Sequence, residues 1–227
     1  MINFKNLKSG FTLAEVLITL GIIGVVAAMT LPTLIANYQK KVTVSKLKKV
    51  YSVLNQAYLM SENTNGEFSS WDLNTGSDPV EYVQKYWLPY FDGAKFCNSY
   101  SDCGYTQSRP WHHQDGNVSA EDVTGTQYRA AIILKDGVVV SFRIPPIGQP
   151  LTPNAKVNVD INGSLPPNKT GEDYFWFELK GKGVQPLWLH DYSYEQIDES
   201  CKEKSDGGAC AAKIMTDGWE MKDDYPW

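Results

Sequence analysis

One stretch dominates the hydrophobic pattern. From Phe11 to Ile35 the chain runs 25 residues with a single charged side chain, Glu15. As a helix rising about 1.5 Å per residue it spans about 37 Å, more than the ~30 Å hydrocarbon core of a bilayer. Beyond it the pattern becomes one-sided. Leu47, Val50, Tyr51, Val53, Leu54, Ala57 and Tyr58 recur at helical spacing, which predicts that the helix continues to about Met60. "SDPVEYVQKYWLPYF" predicts a short second helix, with Ser77 or Asp78 as its cap, Pro79 in its first turn and Pro89 near its end. Strand patterns follow. "YRAAIILKDGVVVSFRI" reads as two β-rich runs joined by Lys135-Asp136-Gly137, and "KVNVDI" alternates with period two. "YFWFEL", "KGKG" and "VQPLWL" read as a further hairpin, while "FCNSYSDCGY" reads as a polar loop. Four or five antiparallel strands after a long helix define an α+β class.

Composition narrows this picture. A length of 227 residues allows one medium domain with an appendage, or two small ones. With 42% hydrophobic and 21% charged residues, the chain can bury a core and is not disordered by composition. Its net charge of −5 argues against nucleic acid as a partner, since that binding usually needs a basic stripe. No second apolar run of comparable length occurs, so the domain that follows lies on one side of the membrane.

Glu15 decides between readings of the N-terminus. An ordinary signal peptide cut near Val26–Ala28 and a plain signal anchor are both weakened by a carboxylate in the span. "SGFTLAEVLITLGIIGVVAAMTLPTL" instead resembles the N-terminus of type IV pilins and type II secretion pseudopilins. The matching elements are a short basic leader with Lys5 and Lys8 ending in Gly10, then Phe11, Thr12 and Leu13. Glu15 follows four residues after Phe11, and Gly24 and Pro32 lie in the apolar run.

That resemblance implies a chemistry and an architecture. A prepilin peptidase would cut between Gly10 and Phe11 and methylate the new amine of Phe11. The glycine, with no Cβ, lets a protease approach the backbone. Glu15 would then pair with the Phe11 amine of a neighbouring subunit, since intramembrane ionisable groups usually have a partner. The helix would loosen between Gly24 and Pro32 on packing in a filament; a membrane helix that tolerates its Gly and Pro is the competing reading. The implied organisation is a leader over 1–10, a membrane and filament-core helix over 11–35, its continuation over 36–60, and an extracytoplasmic head over 61–227. The implied partners are related pilin subunits, prepilin peptidase, an inner-membrane assembly platform and membrane lipid.

One signal opposes this topology. Lys40, Lys41, Lys46, Lys48 and Lys49 follow the span, against Lys5 and Lys8 before it, and a lysine count alone would keep the domain in the cytoplasm. The cysteines and the cleavage motif outweigh it. Four cysteines allow three pairings; Cys97–Cys103 and Cys201–Cys210 each close a short Gly/Ser/Asp-rich loop, and oxidation requires export.

Two further features raise chemistry. Asp160, Asn162 and Asp173 in "VDINGSLPPNKTGEDYFWF" offer hard oxygen ligands, and the resemblance extends to pseudopilins that bind calcium in a loop after comparable strands. Against this, the acidic spacing of an EF-hand is lacking, and Asn162-Gly163 reads equally as a turn. The close "DGWEMKDDYPW" resembles the end of a subgroup of pseudopilin-like proteins; Trp219, Tyr225 and Trp227 would anchor the tail on the sheet or form an exposed contact surface. His112-His113 forms no metal spacing with distant His190, and no nucleophile, zinc or phosphate-loop motif occurs. The expectation is therefore a non-enzymatic filament subunit. A tip or adhesin-type binding subunit, acting through the loops around Cys97–Cys103 and His112, and an unrelated exported domain on a signal anchor are the alternatives.

Overall fold

The computed structural model describes residues 10, 12–71, 79–125, 128–144 and 155–227. The expected cap residues Ser77 and Asp78, and Lys5, Lys8 and Phe11, lie outside them. The chain forms two compact units, divided between Lys40 and Lys41.

Helix α1 (Leu13–Asn65) begins in the first unit. There its apolar side chains have nothing to pack against: Leu13, Leu17, Ile18, Leu20, Ile22, Ile23 and Met29 are each more than half exposed. Residues 24–32 are helical throughout, with Pro32 inside the helix.

In the second unit the same helix is one-sided. Leu47, Val50, Leu54, Ala57 and Tyr58 are buried at three- and four-residue spacing, the stripe that 3.6-residue periodicity places on one face. They meet a six-stranded antiparallel meander in which each strand pairs with the next in sequence. The strands are β1 (Lys95–Cys97), β2 (Arg129–Ile133), β3 (Val139–Arg143), β4 (Lys156–Asp160), β5 (Tyr174–Lys180) and β6 (Gly183–Pro186). The Lys135-Asp136-Gly137 turn joins β2 to β3, with Gly137 at φ +87°, where other residues are strained. Strand β1 overlaps the start of the segment expected to be a polar loop, so the sheet has six strands against the four or five the pattern predicted.

Both faces of the sheet are covered. Val140, Phe142, Val157, Phe175 and Phe177 face α1 in the main core. Ala131, Val139, Tyr174 and Trp176 on the opposite face pack under Tyr105, Trp111 and Val123 of the long segment between β1 and β2. Helix α2 (Pro79–Tyr86) adds Tyr82 and Tyr86 to an aromatic group in which Trp71 stacks on Tyr86 at 4.7 Å and Trp87 sits 4.7 Å from Phe142. The exposed edge of β6 is closed by Asn55 on α1, which donates to Val184 O (3.0 Å) and accepts from Val184 N (3.1 Å). Two short helices unmarked by the hydrophobic pattern, α3 (Tyr194–Ser200) and α4 (Cys210–Thr216), end the fold. Ser193 and Gln196 form a capping box at the start of α3.

Candidate functional site

Three constructions in the described residues carry the chemistry expected of this chain. The first is the N-terminal end of α1. Thr12 stands before the first helical residue, and Glu15 is three residues on. The Thr12 N–H donates to Glu15 Oε2 (2.8 Å), the Thr12 hydroxyl donates to the same oxygen (2.9 Å), and the Glu15 N–H donates to Thr12 Oγ1 (3.2 Å). This reciprocal pair satisfies helix-end donors that would otherwise face apolar surroundings. Glu15 therefore has a partner within its own chain before any cleavage. The signal was present in the sequence as Thr-Leu-Ala-Glu ahead of an apolar run.

The second is the loop between β4 and β5. Gly163 has φ +64°, and a Cβ there would lie 2.6 Å from Gly137 O, so the loop passes tightly over the β2–β3 turn. Asp160, fully buried at the end of β4, accepts from Tyr105 Oη (2.8 Å) and Trp111 Nε1 (2.8 Å) through Oδ2, and from Asn162 N (3.3 Å) through Oδ1. The Asn168 amide, oriented with its nitrogen toward these oxygens, donates to Asp160 Oδ2 (3.1 Å) and Gly163 O (3.2 Å). Asp173 accepts from Asn168 N (2.8 Å) and Lys169 N (2.6 Å). Burial, then the nearby Asp173 charge, holds the Asp160 carboxyl well above the usual carboxylate range. Burial also raises Asp173 to about 6.

These groups do not fit the expected calcium. The ion needs six to eight oxygens with open lone pairs. Here Asp160 Oδ2 already takes three donors, and both Asp173 oxygens take backbone N–H groups. No group of three or more His, Cys, Asp or Glu able to hold a metal exists among the described residues. Asn162 instead donates to Pro166 O (3.3 Å) within its own loop. The site is a hydrogen-bonded latch: Asp160 ties the Tyr105–Trp111 segment to the sheet. Sequence reading missed Tyr105, Trp111 and Asn168 because they are far from Asp160 along the chain and nothing local marks them.

The third is the tail. Cys97 is bonded to Cys103, and Cys201 to Cys210. The second bond ties the end of α3 to the start of α4. Beneath α4 the Lys213 side chain is fully buried, with Nζ donating to Asp198 Oδ1 (2.7 Å) and Asp224 Oδ2 (2.7 Å) and lying 3.4 Å from Asp217 Oδ2. Tyr225 is buried and donates to Gly171 O (2.6 Å), Trp219 lies 5.4 Å from Tyr51, and Trp227 is partly exposed. The tail is thus anchored mainly through Tyr225 and Trp219. His112 serves through its backbone, with its N–H donating to Asn168 O (2.8 Å) and its carbonyl accepting from Thr170 N (2.8 Å); His113 Nδ1 contacts Asp206 O (3.1 Å).

A long N-terminal helix with an exposed apolar first half, a second half packed on an antiparallel sheet and added helices make this a pilin-like α+β protein. The model of the prokaryotic N-terminal methylation motif matches residues 5–31, which supports a type IV pilin or pseudopilin-like chain that is a prepilin peptidase substrate. Residues 33–227 match the family described as "Family of unknown function (DUF6613)", and the chain belongs to it. No curated protein and no solved structure matches the chain.

Proposed function

We propose that the protein is a structural, non-enzymatic subunit of a type II secretion or type IV pilus-like filament. The observation that carries this reading is the methylation motif at residues 5–31, set on a helix whose apolar side chains are left exposed from Leu13 to Ile35. Such a surface needs lipid or copies of itself to cover it. The chain is inserted in the bacterial inner membrane with its leader inside and its head outside, and is cut between Gly10 and Phe11. The disulfides Cys97–Cys103 and Cys201–Cys210 fit an oxidising compartment. The released Phe11 amine is methylated and meets Glu15 of a neighbouring subunit, which exchanges its Thr12 hydrogen bonds for an ion pair that sets the stagger between helices. Gly24 and Pro32 lower the cost of locally unwinding the helix in the packed filament. An inner-membrane platform draws subunits from the bilayer into the growing filament.

Intact mass and N-terminal sequencing of the mature protein test the reading. The expected mature chain begins at N-methylated Phe11. A start near Met29, or retention of Met1, overturns it.

A further inference from the structure

The head carries three Asn-x-Ser/Thr tripeptides with no proline at the middle position: Asn117-Val118-Ser119, Asn162-Gly163-Ser164 and Asn168-Lys169-Thr170. That pattern is the acceptor for sugar transfer to asparagine, and in an exported chain it belongs on a surface loop. The fold treats the three amides very differently.

An asparagine Nδ2 has two hydrogens, and a sugar replaces one of them. Asn168 has none to give up: oriented toward the latch, its Nδ2 donates to Asp160 Oδ2 (3.1 Å) and to Gly163 O (3.2 Å). Asn162 is half-buried in the same loop, with its Nδ2 donating to Pro166 O (3.3 Å) and its Oδ1 out of reach of solvent. A bulky group on either side chain competes with the packing of the latch.

Asn117 stands apart from both. It lies at the tip of a small hairpin in which His112 bridges Val118, the His113 N–H donates to Asn117 O (2.8 Å), and Gly116 turns the chain at φ +85°. The four residues Asp115 to Val118 are all exposed. Asp115 holds the side chain in place: its Oδ2 accepts from Asn117 Nδ2 (2.7 Å) and its Oδ1 from the Asn117 N–H (2.9 Å). Only one Nδ2 hydrogen is used, so a sugar in place of the other leaves both bonds to Asp115 intact. It would also cover Val118, an apolar side chain 58% exposed beside it.

We propose that Asn117 carries an N-linked oligosaccharide, transferred from a polyprenyl diphosphate donor as the chain is exported. In that step Asn117 Nδ2 forms a bond to the first sugar carbon while the bond from that carbon to the diphosphate oxygen breaks. The polyprenyl diphosphate leaves with the electron pair, and a transferase base takes the Nδ2 proton. Ser119, whose hydroxyl completes the acceptor, is buried in the fold and its Oγ accepts from the Glu121 N–H (3.3 Å), so transfer precedes the docking of this segment on the sheet. The inference rests on the export of the head proposed above, and not on filament assembly.

The test is peptide mapping by mass spectrometry of the full chain purified from the cells that make it, with the disulfide state read from the same digest. The peptide holding Asn117 should be heavier than its sequence by a series of sugar residues, and peptides holding Asn162 and Asn168 should appear at sequence mass. The added mass should vanish in Asn117→Gln and in Ser119→Ala and persist in Ser119→Thr. Asn117→Gln changes an exposed tip and should keep both disulfides, which separates loss of the acceptor from misfolding. An Asn117 peptide at sequence mass, with Cys97–Cys103 and Cys201–Cys210 oxidised, overturns the acceptor while export stands. Reduced cysteines overturn export and the acceptor with it. A sugar on Asn162 or Asn168, or one that survives Asn117→Gln, overturns the assignment as well.

Discussion

The carboxylate of Glu15 and the backbone N–H of Thr12 are joined at 2.8 Å, and the Thr12 hydroxyl reaches the same oxygen at 2.9 Å. The carboxylate is thus engaged at the helix start within its own chain. Capping its own helix is distinct from the pairing with a neighbour's amine that we propose, and a single mutation confounds the two. Thr12→Ala removes only the cap, worth about 1 kcal/mol, and should be processed and assembled with a modest loss of yield. Glu15→Ala should be processed yet absent from filaments, because breaking a buried ion pair leaves an amine uncompensated, at about 3–5 kcal/mol. Glu15→Gln is the discriminating variant: it keeps an acceptor for Thr12 but has no charge. Filaments at parental yield from Glu15→Gln, scored by electron microscopy and sheared-fraction blots, would refute the ion pair.

Asp160 makes a second prediction, about calcium. Tyr105, Trp111 and Asn168 supply the donors that a cation would otherwise replace. Melting temperatures with millimolar calcium and with chelator should therefore agree within about 1 °C. A calcium-dependent rise of several degrees would restore the metal reading. Trp111→Phe, which deletes one buried donor to Asp160, should lower stability by about 1–3 kcal/mol, read from the urea midpoint.

Much of this architecture was legible from local pattern. Alternation and the Lys135-Asp136-Gly137 turn marked β2 and β3, and periodicity marked the buried stripe of α1. What escaped shares a physical cause. Strand β1 is three residues long and carries polar neighbours, so it is defined by its partner β2 and not by its own pattern. Helices α3 and α4 are seven residues each and too short to show a period; capping, a disulfide and Lys213 hold them in place. At the candidate site, Asp160 was visible as a chemical type, but its donors lie 49 and 55 residues away. The Glu15 cap was readable as Thr-x-x-Glu, although the membrane setting drew attention to the charge instead.

The buried acids predict an unusual pH dependence. Asp173 titrates near 3.8 when exposed and at about 6 in the fold, raised by burial, and burial raises Asp160 as well. The native state therefore holds more protons than the unfolded one between these values, and stability falls as pH rises through that window. Asp198 and Asp224 are lowered, chiefly by hydrogen bonds from Lys213, so their contribution is lost only when pH drops below the ordinary aspartate range. Urea midpoints should consequently be higher near pH 5 than near pH 7.5. Asp173→Asn should flatten part of that slope. Its absolute stability also drops, because an amide cannot accept from both backbone N–H groups, so the slope is the quantity to read. An unchanged slope in this variant rules out Asp173 as its source.

Lys213 supplies the last prediction. Its side chain has no exposure to solvent, yet the carboxylates of Asp198 and Asp224 each lie 2.7 Å from Nζ, and Asp217 is close behind. Burial would lower this ammonium; the hydrogen bonds it donates to Asp198 and Asp224 outweigh that and hold the group above its ordinary value. Lys213→Met should be costly, since it strands the buried Asp217 carboxylate with Lys222 as its remaining cation. The expected loss is about 3–5 kcal/mol, or roughly 10 °C in Tm for a domain of this size. Asp224→Asn removes a half-exposed partner and should cost under about 1 kcal/mol. Because Asp224 and Tyr225 dock the tail together, Lys213→Met should also speed proteolytic trimming of the C-terminus while leaving cleavage between Gly10 and Phe11 unchanged. Equal melting of the two variants would mean that the tail is held by Tyr225 and the Cys201–Cys210 bond alone.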